Sequence, residues 1–174
     1  MGIQFETDYN METLTAMAKS LRKTVRRKRS RRVHIFAAAV LVLGLLTILA
    51  TTAGGEPLGA SGVVTLLALL VVILATVFED RLNAWFARKR LLPGTEHAVA
   101  TFEEDGYVSA TGVTESRFSY AQIVAVAETA RYFVFALSSH HTQAYDKRTI
   151  RGGSVEDFRA FIAEKTGKLV ENIK

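Results

Sequence analysis

The order of polar and apolar positions divides the chain into parts with different periods. From Val33 to Ala53 there are twenty-one residues without a charge, and a second uncharged run from Leu58 to Phe78 has the same length. At 1.5 Å rise per residue, a helix of that length spans about 30 Å, the hydrocarbon thickness of a bilayer. Neither run carries the polar stripe expected of a helix that covers a soluble core. The pattern predicts two membrane spans, at 33–53 and 58–78, joined by a tight helical-hairpin turn at Gly54–Gly59. Within the spans there is no Asp, Glu, Lys or Arg to mark an ion path or proton relay.

Before the spans the period is helical. Leu14, Met17, Ala18, Leu21 and Val25 share one face at 100° per residue, and Lys19, Arg22, Lys23, Arg26 and Arg27 fall opposite. An amphipathic helix is expected over Met11–Arg32, capped by Asp8 or Asn10, with a face that suits either the inner leaflet or the cytoplasmic domain. Ahead of it, Ile3–Glu6 alternates like an edge strand, which would bring the two ends of the chain together. After the spans, Leu82, Trp85, Phe86 and Leu92 interleave with Arg81, Arg88, Lys89 and Arg90, as in a juxtamembrane helix with an aromatic belt, and Pro93-Gly94 ends it.

From Thr95 the period shortens to that of strands, predicted at Ala98–Glu103, Tyr107–Val113, Thr114–Ser119, Ile123–Thr129, Tyr132–Ser138 and Gln143–Lys147. Asp105-Gly106 marks a tight hairpin. Ser154 with Asp157 three residues on, then Phe158, Phe161 and Ile162, predicts a capped amphipathic C-terminal helix. The expected class is therefore an α+β membrane protein: a two-helix transmembrane hairpin followed by a small antiparallel sheet domain with a C-terminal helix. Its parts are 1–32 (edge strand and basic helix), 33–78 (hairpin), 79–94 (linker) and 95–174 (cytoplasmic domain).

Charge sharpens this picture. The formal net charge is +5, which as an average would point to nucleic acid. Nine of the twenty-two Lys and Arg lie within residues 19–32 with no acid among them. Such a block beside an apolar run, lacking interleaved aromatics, reads as a topogenic anchor for anionic lipid rather than a nucleic-acid patch. Arg22, Arg26, Arg27, Arg29, Arg31 and Arg32, with Trp85, Arg88, Lys89 and Arg90, are the expected membrane-surface residues. Positive-inside asymmetry puts both termini in the cytoplasm of a multi-pass inner-membrane protein. A cleaved signal peptide fits poorly, because the leading region exceeds thirty residues. Residues 95–174 carry nine basic against eleven acidic residues, so general electrostatic attraction to lipid is not expected of that domain.

There is no cysteine, which excludes disulfide scaffolds, thiolate metal sites and cysteine nucleophiles. His140-His141 lacks further convergent ligands and reads as an exposed turn. No serine has a His and Asp constellation, and no glycine-rich loop precedes a helix. The expectation is a non-enzymatic protein without cofactor or metal.

The segments Phe102-Glu103-Glu104-Asp105-Gly106, Ser116 to Ile123, Glu128-Thr129 with Tyr132-Phe133, Lys147-Arg148 and Glu156 to Arg159 resemble the YcxB-like proteins of bacteria in order and spacing. The resemblance is densest over 99–162. It implies two membrane helices ahead of a cytoplasmic domain with a pleckstrin-homology-like (PH-like) fold, and carries no biochemical activity with it. Asp146 and Ile150 stand where the family commonly has Pro and an aromatic. The polar residues that match are Arg117, Tyr120, Gln122, Glu128, Lys147 and Arg148, of which Arg117, Tyr120, Lys147 and Arg148 are the candidates for interaction. A cross-strand ion pair is expected between Arg117 and Glu128, and Lys147-Arg148 suits a phosphate or an acidic partner. The function expected is a protein- or peptide-interaction module at the cytoplasmic membrane face. The alternatives are a small transporter or immunity-type protein acting as a homo-oligomer, and a lipid-headgroup sensor.

Overall fold

The computed structural model describes residues 2–54 and 59–174, so the turn expected between the spans falls mostly outside the described residues. The chain divides into two compact units, one of residues 1–27 with 83–174 and one of residues 28–82.

The first unit is built on two four-stranded sheets. Strands β1 (Ile3–Asp8), β2 (His97–Phe102), β3 (Tyr107–Thr111) and β4 (Glu115–Phe118) form an antiparallel meander in that order. Strands β5 (Ala125–Glu128), β6 (Tyr132–Ala136) and β7 (Thr142–Asp146) form a second antiparallel meander. A short strand, β8 (Val170–Asn172), lies parallel to β5 on its far side. The sequence pattern does not announce β8. The N-terminal strand does form, but its register is with β2 from Ile3↔Phe102 to Asp8↔His97. With the chain after β7 it forms the isolated bridge Gln4↔Arg151.

Bonds from outside the meander satisfy β1 along its other edge. The Thr149 hydroxyl accepts from the Glu6 amide at 3.0 Å and donates to the Glu6 carbonyl at 2.7 Å, and the Asp146 amide donates to the Thr7 hydroxyl at 3.1 Å. The two sheets thus meet at β1. Between them lies an aromatic core in which Phe158 is fully buried, 4.6 Å from the Phe5 ring, 4.8 Å from Phe102 and 5.0 Å from Phe133. Phe158 and Ile162 come from helix α5 (Val155–Thr166), which starts at the expected Ser154/Asp157 capping box and ends at Gly167 in the left-handed conformation.

Every residue of β6 is buried, because its sheet is covered on both faces. Phe133 and Phe135 face the aromatic core, while Tyr132 and Val134 join Ala127, Ala144 and Ile173 under Ala16 and Met17. Those last two belong to helix α1 (Met11–Lys23), capped by the Asn10 side chain. Of the two surfaces open to this amphipathic helix, the sheet is the one it covers. It is shorter than Met11–Arg32: the backbone turns at Thr24, whose hydroxyl donates back to the Ser20 carbonyl at 2.8 Å. Beyond the turn, the remaining basic residues open the next helix.

That helix is α2 (Arg27–Ala53), followed by α3 (Ala60–Val77). Both are long and apolar enough to cross a membrane. Only 6% of each apolar window is buried, with Phe36 71%, Leu43 64% and Val71 64% exposed. A core helix of a soluble protein would bury such a face. Within this unit Leu69 packs on Gly44, where an added Cβ would come within 2.6 Å of its Cδ2. Helix α4 (Glu79–Lys89) begins after a break at Phe78.

In chain order, α1 to α4 all lie between β1 and β2. Two strands paired as a hairpin are therefore separated by residues 9–96, and both apolar helices are an insertion in that connection.

Candidate interaction site

The Glu103–Gly106 turn closes as the Asp-Gly signature predicts, with the Glu103 amide donating to the Gly106 carbonyl at 2.9 Å. Glycine is required at 106 by space: a Cβ there would lie 2.5 Å from the Phe118 carbonyl oxygen. Tyr120, in a 3-10 turn after β4, points its hydroxyl at the carbonyls of Glu103 (2.6 Å) and Gly106 (3.0 Å). It thereby fastens the turn to the end of β4. Burial, with the nearby Glu103 and Asp105 carboxylates, pushes the Tyr120 hydroxyl well above the usual tyrosine value, so it stays a donor.

Between this turn and the end of β4 is a cleft of about 470 Å³ lined by Glu103, Glu104, Asp105, Arg117, Phe118 and Gln122, among others. Its floor is rigid. Tyr107 stacks on Phe102 at 4.9 Å and on Phe118 at 5.1 Å. Gln122 is held by the Ser119 amide, which donates to its side-chain oxygen at 3.2 Å. The rim holds three exposed carboxylates against one exposed guanidinium, and Glu104 is paired with Lys165 at 3.0 Å. That pairing holds the Glu104 carboxyl below its ordinary range. A rigid, partly aromatic floor under an acidic rim suits a cationic or amide-rich segment. Beside it, β4 pairs only with β3, so its outer edge has no partner strand among the described residues.

Of the four candidate interaction residues, Arg117 lines the cleft and Tyr120 braces it, whereas Lys147 and Arg148 belong to a different cluster. The expected Arg117–Glu128 pair does not form. Arg117 stands opposite Val108 in the first sheet, while Glu128 is in the second, because the 3-10 turn at Tyr120–Gln122 carries the chain from one to the other. The buried Glu128 carboxylate is held by Arg159 (Nε to Oε2, 2.7 Å) and Lys147 (Nζ to Oε1, 2.9 Å). The hydrogen bond from Arg159 is the main reason its pKa falls below 4.5. Asp146 is shared by Arg131 at 2.8 Å and Arg148 at 3.0 Å, and Arg131 also reaches Glu12 at the start of α1. Both cations proposed for a phosphate are thus engaged by internal carboxylates. Arg131 carries no recognisable signal in the sequence, yet it ties α1 to the second sheet.

The expected membrane-surface residues also separate. Arg26 donates from Nε to the Ser139 carbonyl at 2.6 Å and so belongs to the first unit's own bonding. Arg22 lies in the last turn of α1. Arg27, Arg29, Arg31 and Arg32 are exposed on the first turns of α2. Trp85, Arg88, Lys89 and Arg90 are exposed at the end of α4, with the Lys89 ammonium 3.7 Å from the Trp85 ring centre. His140 and His141 sit in the β6–β7 turn. Among the described residues no three His, Cys, Asp or Glu side chains converge as metal ligands.

No curated protein and no solved structure matches the chain. Residues 102–162, from the end of β2 into α5, match the model of one family, described as YcxB-like protein, and the cleft and the Glu128 cluster lie inside that stretch.

Proposed function

We propose that this is a non-enzymatic protein of the bacterial cytoplasmic membrane whose PH-like domain binds a partner protein through the cleft at Glu103–Gly106, Arg117 and Gln122. The observation that carries this reading is the insertion of both apolar helices in the β1–β2 connection, so the chain leaves and re-enters the same sheet domain around its membrane hairpin. A domain joined to the hairpin at both of its ends stays at the membrane surface, where such a partner would be met. The two antiparallel meanders closed by α5 support the PH-like reading. The excess of basic residues ahead of the apolar run 33–53, with none charged inside either run, supports cytoplasmic termini.

The partner's contacting segment is extended and basic, matched to the rim carboxylates of Glu103 and Asp105 and to the open edge of β4. Photo-crosslinking from position 117 in living cells tests this. A discrete protein adduct from 117, absent when the crosslinker is moved to the exposed Leu169, is the expected result. Adducts of equal yield from both positions, or none from 117, contradict it.

A further inference from the structure

The β3–β4 connection, Gly112-Val113-Thr114, lies against the turn that follows α4. The Gly112 amide donates to the Gly94 carbonyl at 3.0 Å. The approach is close enough that a Cβ on Gly94 would come within 2.7 Å of Val113 Cγ1, and Gly94 takes φ +85°, where a side chain is strained. Val113 is thereby held beside Gly94, two residues along the chain from Leu92, and both are exposed, Leu92 by 68% and Val113 by 62%.

Single exposed apolar residues need no explanation. These two differ in their company. The stretch from Trp85 to Leu92 descends in chain order from α3 through α4 and carries exposed Trp85 and Phe86 with Arg88, Lys89 and Arg90. Aromatic rings, aliphatic tips and long cations together make the composition of a membrane–water interface. Glu96, whose carboxylate accepts from the Gly94 amide at 2.7 Å, and the exposed Glu115 on β4 bound this patch, limiting it to the tip of the turn.

We propose that the β3–β4 turn is a second membrane contact of the domain, with Val113 and Leu92 dipping together into the interfacial layer of a lipid bilayer. This rests on α2 and α3 being membrane spans. It deepens the functional reading by fixing a direction: β3 and β4 run from the Val113 turn to the cleft, so the cleft lies at the opposite end of that hairpin. Four to five residues at about 3.3 Å each place it roughly 15 Å from the lipid-facing tip. Apolar insertion of one turn needs no particular headgroup, which agrees with the acidic balance of residues 95–174.

The chain has no cysteine, so single labels can be placed cleanly. Full-length Val113→Cys, Leu46→Cys and Leu169→Cys variants, each carrying an environment-sensitive fluorophore, are reconstituted in vesicles of phosphatidylcholine and phosphatidylglycerol containing nitroxide lipids. Leu46 is on α2, and Leu169 is exposed in the α5–β8 connection. The expected result is deep quenching at 46, shallow quenching with a blue shift at 113, and a water-like signal at 169. Quenching at 46 with a water-like signal at 113 overturns the proposal and leaves the membrane reading standing. Equal quenching at 113 and 169 also overturns it, as unspecific adsorption. A water-like signal at 46 removes the membrane reading and the proposal with it.

Discussion

At the scale of single residues, Glu128 shows how much of the charged chemistry here is internal. Its carboxylate is buried between Lys147 and Arg159, and removing one member of such a group leaves the others desolvated and uncompensated. Glu128→Ala is expected to destabilise the full chain in detergent by about 3 kcal/mol, the lower end for buried pairs because Arg159 is partly solvated. The pH dependence has a definite sign. Because the folded pKa is depressed, the contribution is complete above the ordinary value of 4.5 and is lost as pH falls through the lower folded value. Denaturation curves of the wild type should show that acid loss, and those of Glu128→Ala should show a smaller one. An unchanged acid profile in the variant would show that other carboxylates dominate. The turn at Asp105-Gly106 and the cap at Ser154 and Asp157 were legible in sequence because each is satisfied within three or four residues. The partners of Glu128 were not, since neighbouring strands in sequence fall in different sheets.

At the scale of elements, the least legible piece is β8. Its three residues have no room for an alternating pattern, and Leu169 beside it is 90% exposed. Its role appears only in three dimensions, where Ile173 is 7% exposed among Ala127, Tyr132 and Val134 under α1, and its amide donates to the Glu128 carbonyl at 2.7 Å. The segment thus pins α1 to the second sheet, and α1 leads directly into α2. Ile173→Ala removes roughly 2 kcal/mol of burial, enough to raise local opening by at least about tenfold. Amide hydrogen exchange should therefore accelerate in α1 around Ala16–Leu21 as well as in β8. Acceleration confined to β8 would mean that α1 is held by the Arg131–Glu12 and Thr13–Tyr132 contacts alone. The turn at Thr24 was hidden for a similar reason: no proline or glycine marks it, and the basic face continues through it without interruption.

For the whole molecule, the two apolar runs and the strand-rich C-terminal part were readable from period alone, but their relation was not. Read linearly, a hairpin precedes a domain. Folded, residues 3–8 cross the insertion to pair with β2, which no local pattern reveals because the pairing partners lie some ninety positions apart. This makes the two apolar helices a loop of the domain, and the proposed membrane reading then puts both of their flanks on one side of the bilayer. The most direct test is the labelling of single cysteines, at Glu56 between the helices and at Leu169, with a membrane-impermeant maleimide on intact bacterial cells. The account predicts that position 56 reacts once the outer envelope is opened and that 169 reacts only after the inner membrane is permeabilised. Reaction of 169 in cells whose inner membrane is intact, or protection of both positions until it is permeabilised, would contradict it.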